Sequence, residues 1–343
     1  MKKKRLYCLF FSLFFIFSIG FPAFAGEMNF VVKTVIPDNQ IDKNQTYFDL
    51  RMAPGQEQDL SVEMSNSTSK DITVSVNVNT AITNSNGVVE YNNNSTKRDS
   101  SLKISFKDIA KTDKEVTIPA NSTKTQLIHI QMPKDEYDGT ILGGIYFTEN
   151  TKEDDKDKNS KGSQIINKYA YVVGVKLTEN DNEVKPELRL NSVKASQENY
   201  RNIIAANIQN YNAAILKDLK VEGKIYKKGS DEVLYSATNE DLRMAPNSNF
   251  DFGISLDNKP FRPGKYTFKG VATSGVRKWT FEKDFEIKSG ESNRFNKSSV
   301  SLEKDNTWLY ILIVALVLFV LLIIIWILIR KIRKSNVGSE DED

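Results

Sequence analysis

Residues 116–133 read VTIPANSTKTQLIHIQMP, in which two runs of alternating apolar and polar side chains flank the turn Pro119-Ala120-Asn121. Proline fixes φ for a turn, and asparagine accepts the left-handed conformation that follows. Alternation with a period of two is typical of a strand with one buried face and one solvated face. The stretch therefore predicts strand, tight turn and strand, a combination that immunoglobulin-like domains often use.

The same alternation recurs along much of the chain. Further runs with an apolar residue at every second position are Leu60 to Met64, Ile72 to Val78, Phe250 to Leu256 and Trp279 to Ile287. Turns rich in Gly, Pro and Asn separate such runs, and no convincing amphipathic helix interrupts them between residues 30 and 290. The predicted fold class is all-β, with two immunoglobulin-like β-sandwich domains.

A hexapeptide, DLRMAP, occurs twice, at residues 49–54 and at residues 241–246. The first copy lies early in the first predicted domain, whereas the second lies near the middle of the second domain. This difference in position favours a recurring turn. Duplication of a whole domain stays open as the alternative.

The N-terminus carries the features of an export signal. The basic residues Lys2 to Arg5 precede an apolar run from Leu6 to Phe21, and Ala23 and Ala25 supply the small residues that a signal peptidase accepts. Charge, apolar run and cleavage site in this order predict a signal peptide at residues 1–25. The single cysteine, Cys8, lies inside it, so the expected mature chain has no thiol for a disulfide, a metal or a nucleophile.

Near the C-terminus, residues 308–329 form an uncharged run of 22 residues, WLYILIVALVLFVLLIIIWILI. As a helix this run spans roughly 33 Å, against a hydrocarbon core of about 30 Å. Trp308, Tyr310 and Trp326 lie near its ends, and Arg330 and Lys331 begin a basic tail. Because positive residues stay cytoplasmic, we predict one transmembrane helix with residues 330–343 inside the cell and the ectodomain outside, a single-pass protein of the cell membrane.

Turn and breaker residues mark a domain boundary in the part of the chain between the signal peptide and the transmembrane helix. The stretch ENDNEVKP, residues 179–186, predicts a first sandwich at 26–180 and a second at 185–288. On this interpretation the charged segment NTKEDDKDKNSKG, residues 150–162, is a hairpin loop of the first sandwich. Its alternative role is the linker between the domains. Residues 289–307, which are rich in Ser, Asn and charge, are predicted to form a stalk.

Charge argues against nucleic acid as a ligand. Without the two terminal segments, 39 of the 47 basic and 40 of the 44 acidic residues remain, so the ectodomain is nearly neutral. It lacks the basic footprint that nucleic-acid binding requires.

Residues that carry enzyme chemistry are sparse. His129 is the single histidine, and the alternation places it on the polar face of a strand. Three S-x-x-K tetrads begin at Ser67, Ser100 and Ser301, but the companion motifs of penicillin-binding enzymes are missing. We therefore expect no catalytic site, no cofactor and no metal.

The densest carboxylates, Glu153, Asp154, Asp155 and Asp157, lie in the lysine-rich segment 150–162. The spacing of an EF-hand loop is absent there, so a solvated loop is favoured over a weak calcium site.

Three aromatic residues, Tyr47, Phe48 and Tyr91, fall in turn-rich stretches and are candidates for stacking on sugars or for anchoring a partner. Taken singly, each is interpreted as a cap on the end of a core. The pair Gly143-Gly144 lies within a strand, where glycine permits close packing against the backbone.

Several stretches taken together resemble the WxL-interacting proteins of Gram-positive bacteria. They are Asp138-Gly139, Leu142 to Ile145, Tyr169 to Leu177, Leu216 to Leu219, Met244 to Ser248 and Pro263 to Tyr266. The resemblance extends over essentially the whole chain. It implies a signal peptide, a peptidoglycan-binding domain, a host-binding domain and one C-terminal transmembrane helix, with a domain boundary nearer residues 150–163.

The resemblance also implies a role. Such proteins are thought to tie secreted WxL-domain proteins to the cell surface, with peptidoglycan contacted by the first domain and host extracellular matrix or another partner by the second. The expected function is therefore a non-enzymatic scaffold. A host-matrix adhesin acting on its own is the alternative, and a cell-wall hydrolase is less favoured. No residue-level binding motif is transferred, so the binding residues stay unknown from sequence.

Overall fold

The computed structural model describes residues 28–92, 97–150, 169–300, 302 and 307–337. These residues form two β-sandwiches followed by one long apolar helix, so the predicted all-β fold with a C-terminal helix is confirmed. The signal peptide predicted at residues 1–25, including Ala23 and Ala25, lies outside the described residues. So do the four carboxylates of the charged segment, Glu153, Asp154, Asp155 and Asp157.

The first sandwich packs two sheets face to face. Within the described residues its strands are β1 (Phe30–Val35), β2 (Phe48–Arg51), β3 (Glu57–Asn66), β4 (Ile72–Thr80), β7 (Ala110–Lys111), β8 (Glu115–Ile118), β9 (Ser122–Gln131), β10 (Ile141–Glu149) and β11 (Ala170–Thr178). One sheet has the order β1-β3-β9-β7, and the other has the order β2-β11-β10-β4-β8. The pairing is antiparallel except between β2 and β11, which run parallel. The strands β5 (Ile82–Thr83) and β6 (Val89–Glu90) form a separate hairpin.

The core of the first sandwich comes from the alternation read in the sequence. Leu60, Val62 and Met64 of β3 point inward, and every second residue of β4 does the same from the opposite sheet. The short helix α1 (Phe106–Ile109) adds Phe106, which is fully buried. Strand β11 also contributes Val175 and other inward residues to this core, so it is part of the first sandwich.

The stretch 116–133 crosses from one sheet to the other. Both predicted strands are present, but β8 pairs with β4 and β9 pairs with β3. Asn121 at the turn has φ of 50°, the left-handed conformation that asparagine tolerates. The buried Asn66 side chain donates to the carbonyl oxygens of Ile118 and Pro119 at 3.1 and 3.0 Å. The apolar faces of the two strands therefore meet across the core instead of lying side by side.

The second sandwich has a three-stranded and a four-stranded sheet. Its strands are β12 (Leu188–Glu198), β13 (Arg201–Asn210), β14 (Leu216–Lys227), β15 (Val233–Met244), β16 (Ser248–Ser255), β17 (Gly264–Ser274) and β18 (Arg277–Ile287). The sheet orders are β12-β13-β16 and β15-β14-β17-β18, and all pairs are antiparallel. Phe252, Ile254 and Phe268 are among the side chains that fill the core between them.

The two DLRMAP copies occupy similar places. The first ends β2 and turns into β3, and the second ends β15 and turns into β16. In both cases the chain passes from one sheet to the opposite sheet of the same sandwich. The copies differ at their aspartates, since Asp241 has φ of 57° whereas Asp49 is an ordinary residue of β2. The repeat is thus a shared sheet-crossing turn.

The stalk predicted from residue 289 is wrong for its first ten residues. They form helix α2 (Ser289–Ser298), which packs against the second sandwich. The ring of Phe295 lies 5.7 Å from that of Phe261, measured between centroids. Ser292 Oγ donates to the Phe261 carbonyl at 2.7 Å, and Asn296 Nδ2 donates to the same oxygen at 3.0 Å. The polar composition that suggested a stalk serves to hydrogen-bond the helix to the domain.

The C-terminal helix α3 (Thr307–Val337) contains the predicted membrane segment. Residues Tyr310–Arg330 form a 21-residue stretch that is long and apolar enough to cross a membrane. Its apolar side chains lie exposed on every side, as Leu322 at 64% and Ile324 at 47% illustrate. A helix that is apolar all round requires a hydrocarbon environment or a protein core to cover it.

Candidate functional site

The β5–β6 hairpin projects from the first sandwich onto the second. Thr83 on this hairpin is only 6% exposed. Its hydroxyl accepts a hydrogen bond from the Ala245 backbone N–H at 3.0 Å and shares another with Ser248 Oγ at 2.6 Å. The Arg243 N–H donates to the Gly87 carbonyl at 2.7 Å. The hairpin therefore lies against the turn that joins β15 to β16 and links the two domains.

Apolar contacts accompany these hydrogen bonds. Ala81 and Leu142 of the first sandwich pack with Ala245 of the second in a small buried cluster, and Tyr91 and Ile215 lie against it. Because the cluster draws on both domains, separating them would expose apolar surface as well as polar groups.

A second group of contacts joins the domains on another side. Gly139 has φ of 102°, and an added Cβ would lie 2.4 Å from the Ala213 carbonyl oxygen. The neighbouring Thr140 N–H donates to that same oxygen at 2.7 Å. Asp99 Oδ1 accepts from Gln209 Nε2 at 2.5 Å. The two sandwiches are thus interlocked at several points.

A groove of about 710 Å³ opens at this junction, on the outer face of the β2-β11-β10-β4-β8 sheet. Its lining includes Tyr47, Tyr91, Tyr146, Gly174, Lys176, Lys217 and Arg243, and we call it the junction groove. Gly144 and Gly174 lie directly opposite each other on β10 and β11. A Cβ at Gly144 would come within 2.8 Å of the Tyr91 Cβ, and one at Gly174 within 3.7 Å of the Tyr47 Cβ. Gly144 thus lets Tyr91 lie directly on the backbone of the sheet, whereas Tyr47 lies beside Gly174 at ordinary van der Waals distance.

The charges around the junction groove are mainly positive. Lys217 and Arg243 are exposed side chains from the second sandwich. Lys176 Nζ lies 3.1 Å from the buried carboxylate of Asp49. Glu90, a carboxylate in the lining, accepts a hydrogen bond from Asn84 at 2.6 Å. The groove thus combines aromatic rings with cations, an arrangement suited to binding and orienting a polar ligand.

Burial disfavours ionisation of Tyr91 in the junction groove. Desolvation raises the pKa of Tyr91, the neighbouring Tyr47 raises it further, and Arg243 partly opposes them. The Tyr91 phenol therefore stays protonated and able to donate a hydrogen bond at physiological pH.

The three aromatic residues singled out from the sequence have different surroundings. Phe48 is fully buried in the first core, so its interpretation as a core residue is correct. Tyr47 and Tyr91 lie on the outer face of the sheet, where Tyr91 packs against the small apolar cluster between the domains and Tyr47 is 37% exposed. The outward-facing Gly144 makes room for the Tyr91 ring, a relation between distant elements that local sequence does not show.

The remaining residues considered for chemistry are dispersed. His129 lies at the surface of β9, with Nδ1 2.9 Å from Asp59 Oδ1. Ser67 and Ser100 lie in loops outside the helices and strands. Across residues 28–92, 97–150, 169–300, 302 and 307–337, no group of three or more His, Cys, Asp or Glu residues could hold a metal ion.

The predicted membrane-anchor residues lie on α3. Tyr310 is 65% and Trp326 59% exposed. The Arg330 guanidinium lies 5.1 Å from the Trp326 ring centroid, within range for a cation–π contact. The backbones of Trp308 and Lys331 belong to the same helix.

Comparison with protein families connects this architecture to known chains. Residues 30–149 match the peptidoglycan binding domain of WxL Interacting Protein, and residues 160–297 match its host binding domain. The chain belongs to the WxL-interacting protein family. The resemblance read from the sequence is therefore confirmed. The first match ends at residue 149 and the second begins at residue 160, whereas β11 at 170–178 lies in the first sandwich of this family member.

The solved structures that this chain matches are distant from it in sequence. One is the CsuC-CsuE chaperone-tip adhesion subunit complex of Acinetobacter baumannii, with 13% identity and a TM-score of 0.32, covering 74% of this chain and 98% of that one. Another is a chaperone-tip adhesin complex of CFA/I fimbriae, with 12% identity and a TM-score of 0.30, covering 76% and 99%. A third is a PapD-like domain of human CEP192, with 8% identity and a TM-score of 0.28, covering 48% and 98%. Among curated proteins, no significant match was found.

Several lining residues of the junction groove were not considered as site residues from sequence, among them Gly174, Lys176, Lys217 and Arg243. A signal for them was nevertheless present. Gly174 and Lys176 lie in the stretch 169–177 and Lys217 lies in 216–219, both of which carry the family resemblance. Arg243 lies in the repeated hexapeptide. That these stretches meet at one place became visible only in the folded chain.

Proposed function

We propose that this chain is a non-enzymatic scaffold of the cell surface that holds a secreted WxL-domain protein next to peptidoglycan. One observation supports the proposal most directly. A domain of a peptidoglycan-binding family and a domain of a host-binding family are interlocked in one chain, and one apolar helix follows them.

Membrane attachment in this proposal rests on α3. Its exposed apolar side chains would be covered by lipid, and the basic residues Arg330 and Lys331 follow the apolar stretch. Since basic residues stay on the cytoplasmic side, the two sandwiches are proposed to lie outside the cell and residues 330–343 inside. The wall would then be within reach of both domains.

A partner protein would find an edge strand on the second sandwich. β15 is at the edge of its sheet, and Val233 and Leu234 at its start are 44% and 37% exposed. An extended segment of a partner can add to such an edge through main-chain hydrogen bonds while its side chains meet the exposed apolar ones. This mode of binding requires no catalytic group or cofactor.

Co-purification tests the partner. The tagged full chain, isolated from solubilised membranes, is expected to bring down a secreted WxL-domain protein. A Val233→Lys and Leu234→Lys double variant is expected to bring down less. Val31→Lys, which alters a valine of β1 that is 55% exposed, is the matched control and should retain the partner. Recovery of no WxL-domain protein at all would contradict this part of the proposal.

A host-matrix adhesin is the second candidate function, and the host binding domain match is the observation that favours it. It predicts that the full chain binds purified matrix proteins with no WxL-domain protein present. Matrix binding without WxL-domain co-purification would favour the adhesin over the scaffold. Release of soluble sugars from peptidoglycan by the purified chain would instead favour a hydrolase.

A further inference from the structure

Residues of both domains line the junction groove. Resting on the function proposed above, we infer that this groove is the peptidoglycan site, and that it holds a glycan strand and its anionic peptide stem between tyrosines of the first sandwich and cations of the second. The residues concerned are Tyr47, Tyr91, Lys217 and Arg243.

The floor of the groove favours a flat ligand. Gly174 on β11 lines the groove and has no side chain, whereas Gly144, opposite it on β10, is covered by Tyr91. Tyr91 lies directly on Gly144, and Tyr47 lies beside Gly174 and is 37% exposed. Aromatic rings fixed in this way present apolar faces and polar hydroxyls together, which suits a sugar ring with its C–H face and peripheral hydroxyl groups.

The charges favour a glycan that carries anionic peptide stems over a neutral glycan. Lys217 and Arg243 are exposed, and neither forms an ion pair with a carboxylate within the described residues. Lys176 is already paired with Asp49, so it contributes less to an incoming anion. The free carboxylates of peptidoglycan lie on its peptide stems, and a lysine and an arginine form charge-assisted hydrogen bonds with such groups.

The cations and the tyrosines of the groove belong to different domains. Lys217 and Arg243 lie on β14 and β15, within the range that matches the host binding domain, whereas both tyrosines lie within the peptidoglycan binding domain match. The Arg243 backbone N–H donates a hydrogen bond to the Gly87 carbonyl of the β5–β6 hairpin. This contact fixes the cationic wall of the groove against the first domain. Wall binding therefore depends on the second sandwich as well as on the first.

Sedimentation with purified sacculi tests the inference. The detergent-solubilised full chain is mixed with sacculi from which teichoic acids have been removed, and the bound fraction is measured against protein concentration. A Lys217→Glu and Arg243→Glu double variant is expected to bind about tenfold more weakly. Tyr47→Ala is expected to bind about fivefold more weakly, from the loss of ring contact.

Two control variants carry the same kinds of substitution at positions outside the groove. Lys194→Glu reverses an exposed lysine on β12, and Tyr200→Ala removes a tyrosine that is 66% exposed at the β12–β13 turn. Both are expected to bind within about twofold of the unmodified chain. Lys217→Gln, which removes a charge without adding one, should give a smaller loss in the same direction as the double variant. Unchanged urea unfolding midpoints identify the variants that remain folded.

The outcomes are distinguishable. If the unmodified chain binds sacculi and the groove variants bind as the controls do, the inference is overturned while the proposed function stands. If the unmodified chain does not bind sacculi, both the inference and the proposed contact with peptidoglycan are overturned. If binding occurs only before the teichoic acids are removed, the anionic ligand is a polyphosphate and the assignment to a glycan strand is overturned.

Discussion

Replacing Thr83 by valine is expected to weaken the second sandwich through a change made in the first. Valine has nearly the shape of threonine but lacks the hydroxyl. In the folded chain that hydroxyl accepts from the Ala245 N–H at 3.0 Å and shares a hydrogen bond with Ser248 at 2.6 Å. All three residues are buried, at 6%, 0% and 4% exposure, so water cannot replace the lost partner while the domains stay docked.

The size of the effect follows from these contacts. A buried N–H without a partner costs about 1–3 kcal/mol, and loss of the second hydrogen bond adds about 1 kcal/mol. We therefore expect the docked state to be destabilised by about 2 kcal/mol or more, a change of about 30-fold in the ratio of folded to unfolded molecules. If the domains separate instead, the penalty is limited to the free energy that docking contributes.

Tryptophan fluorescence provides the assay. Trp279, on β18, is the single tryptophan of residues 28–300, so its emission during urea unfolding of that two-domain fragment reports the second sandwich. Thr83→Val should move this transition to lower urea. The control is Thr73→Val, which removes the hydroxyl of an exposed threonine pair on β4 and should leave the Trp279 transition within about 0.5 kcal/mol. An unshifted Trp279 transition in Thr83→Val would refute the interlocking of the domains.

Three further changes test other parts of the fold. Gly143→Ala would place a Cβ 2.1 Å from Phe106, so the unfolding free energy of the first sandwich, followed by circular dichroism, should fall by about 3 kcal/mol. Gly174→Ala, with 3.7 Å to its nearest neighbour, should lower it by less than about 1 kcal/mol. Equal losses would contradict the packing. Burial raises the pKa of Tyr137 to about 12, above the value of about 10 in an unfolded chain, so its contribution to stability is complete below pH 10 and is lost as the pH rises towards 12. Tyr137→Phe should therefore show a shallower decline of unfolding free energy over that window, and an unchanged slope would contradict the assignment. Phe295→Ala should loosen α2 from the second sandwich by about 1–2 kcal/mol, seen as faster amide exchange in residues 289–298 with little change in β13.

The parts of the fold that depend on local periodicity could be predicted from sequence. Leu60, Val62 and Met64 alternate with polar residues, and burial of one face of a strand requires such a pattern. The C-terminal helix could also be predicted from sequence, because a long uncharged run has few stable conformations other than a membrane-spanning helix. The assignment of each strand to one of the two sheets could not be predicted in this way. Nothing local in residues 116–133 distinguishes two paired strands from two strands that cross between sheets.

The junction groove could not be predicted because its parts are far apart in sequence. Tyr91 and Gly144 lie on different elements, and their contact depends on the path of the β5–β6 hairpin. Lys217 and Arg243 belong to another domain and read as ordinary surface charges. Helix α2 was missed for a different reason, since the side chains of Ser292 and Asn296 look like those of a linker until their backbone acceptors are placed.

Binding of the unmodified full chain to purified peptidoglycan is the measurement that tests the central claim most directly. A titration of detergent-solubilised protein against a fixed mass of sacculi should give a saturable isotherm, with no soluble sugar released during the incubation. Protein that stays in the supernatant at every concentration, or sacculi that dissolve as protein is added, would contradict a scaffold that holds the wall without cutting it.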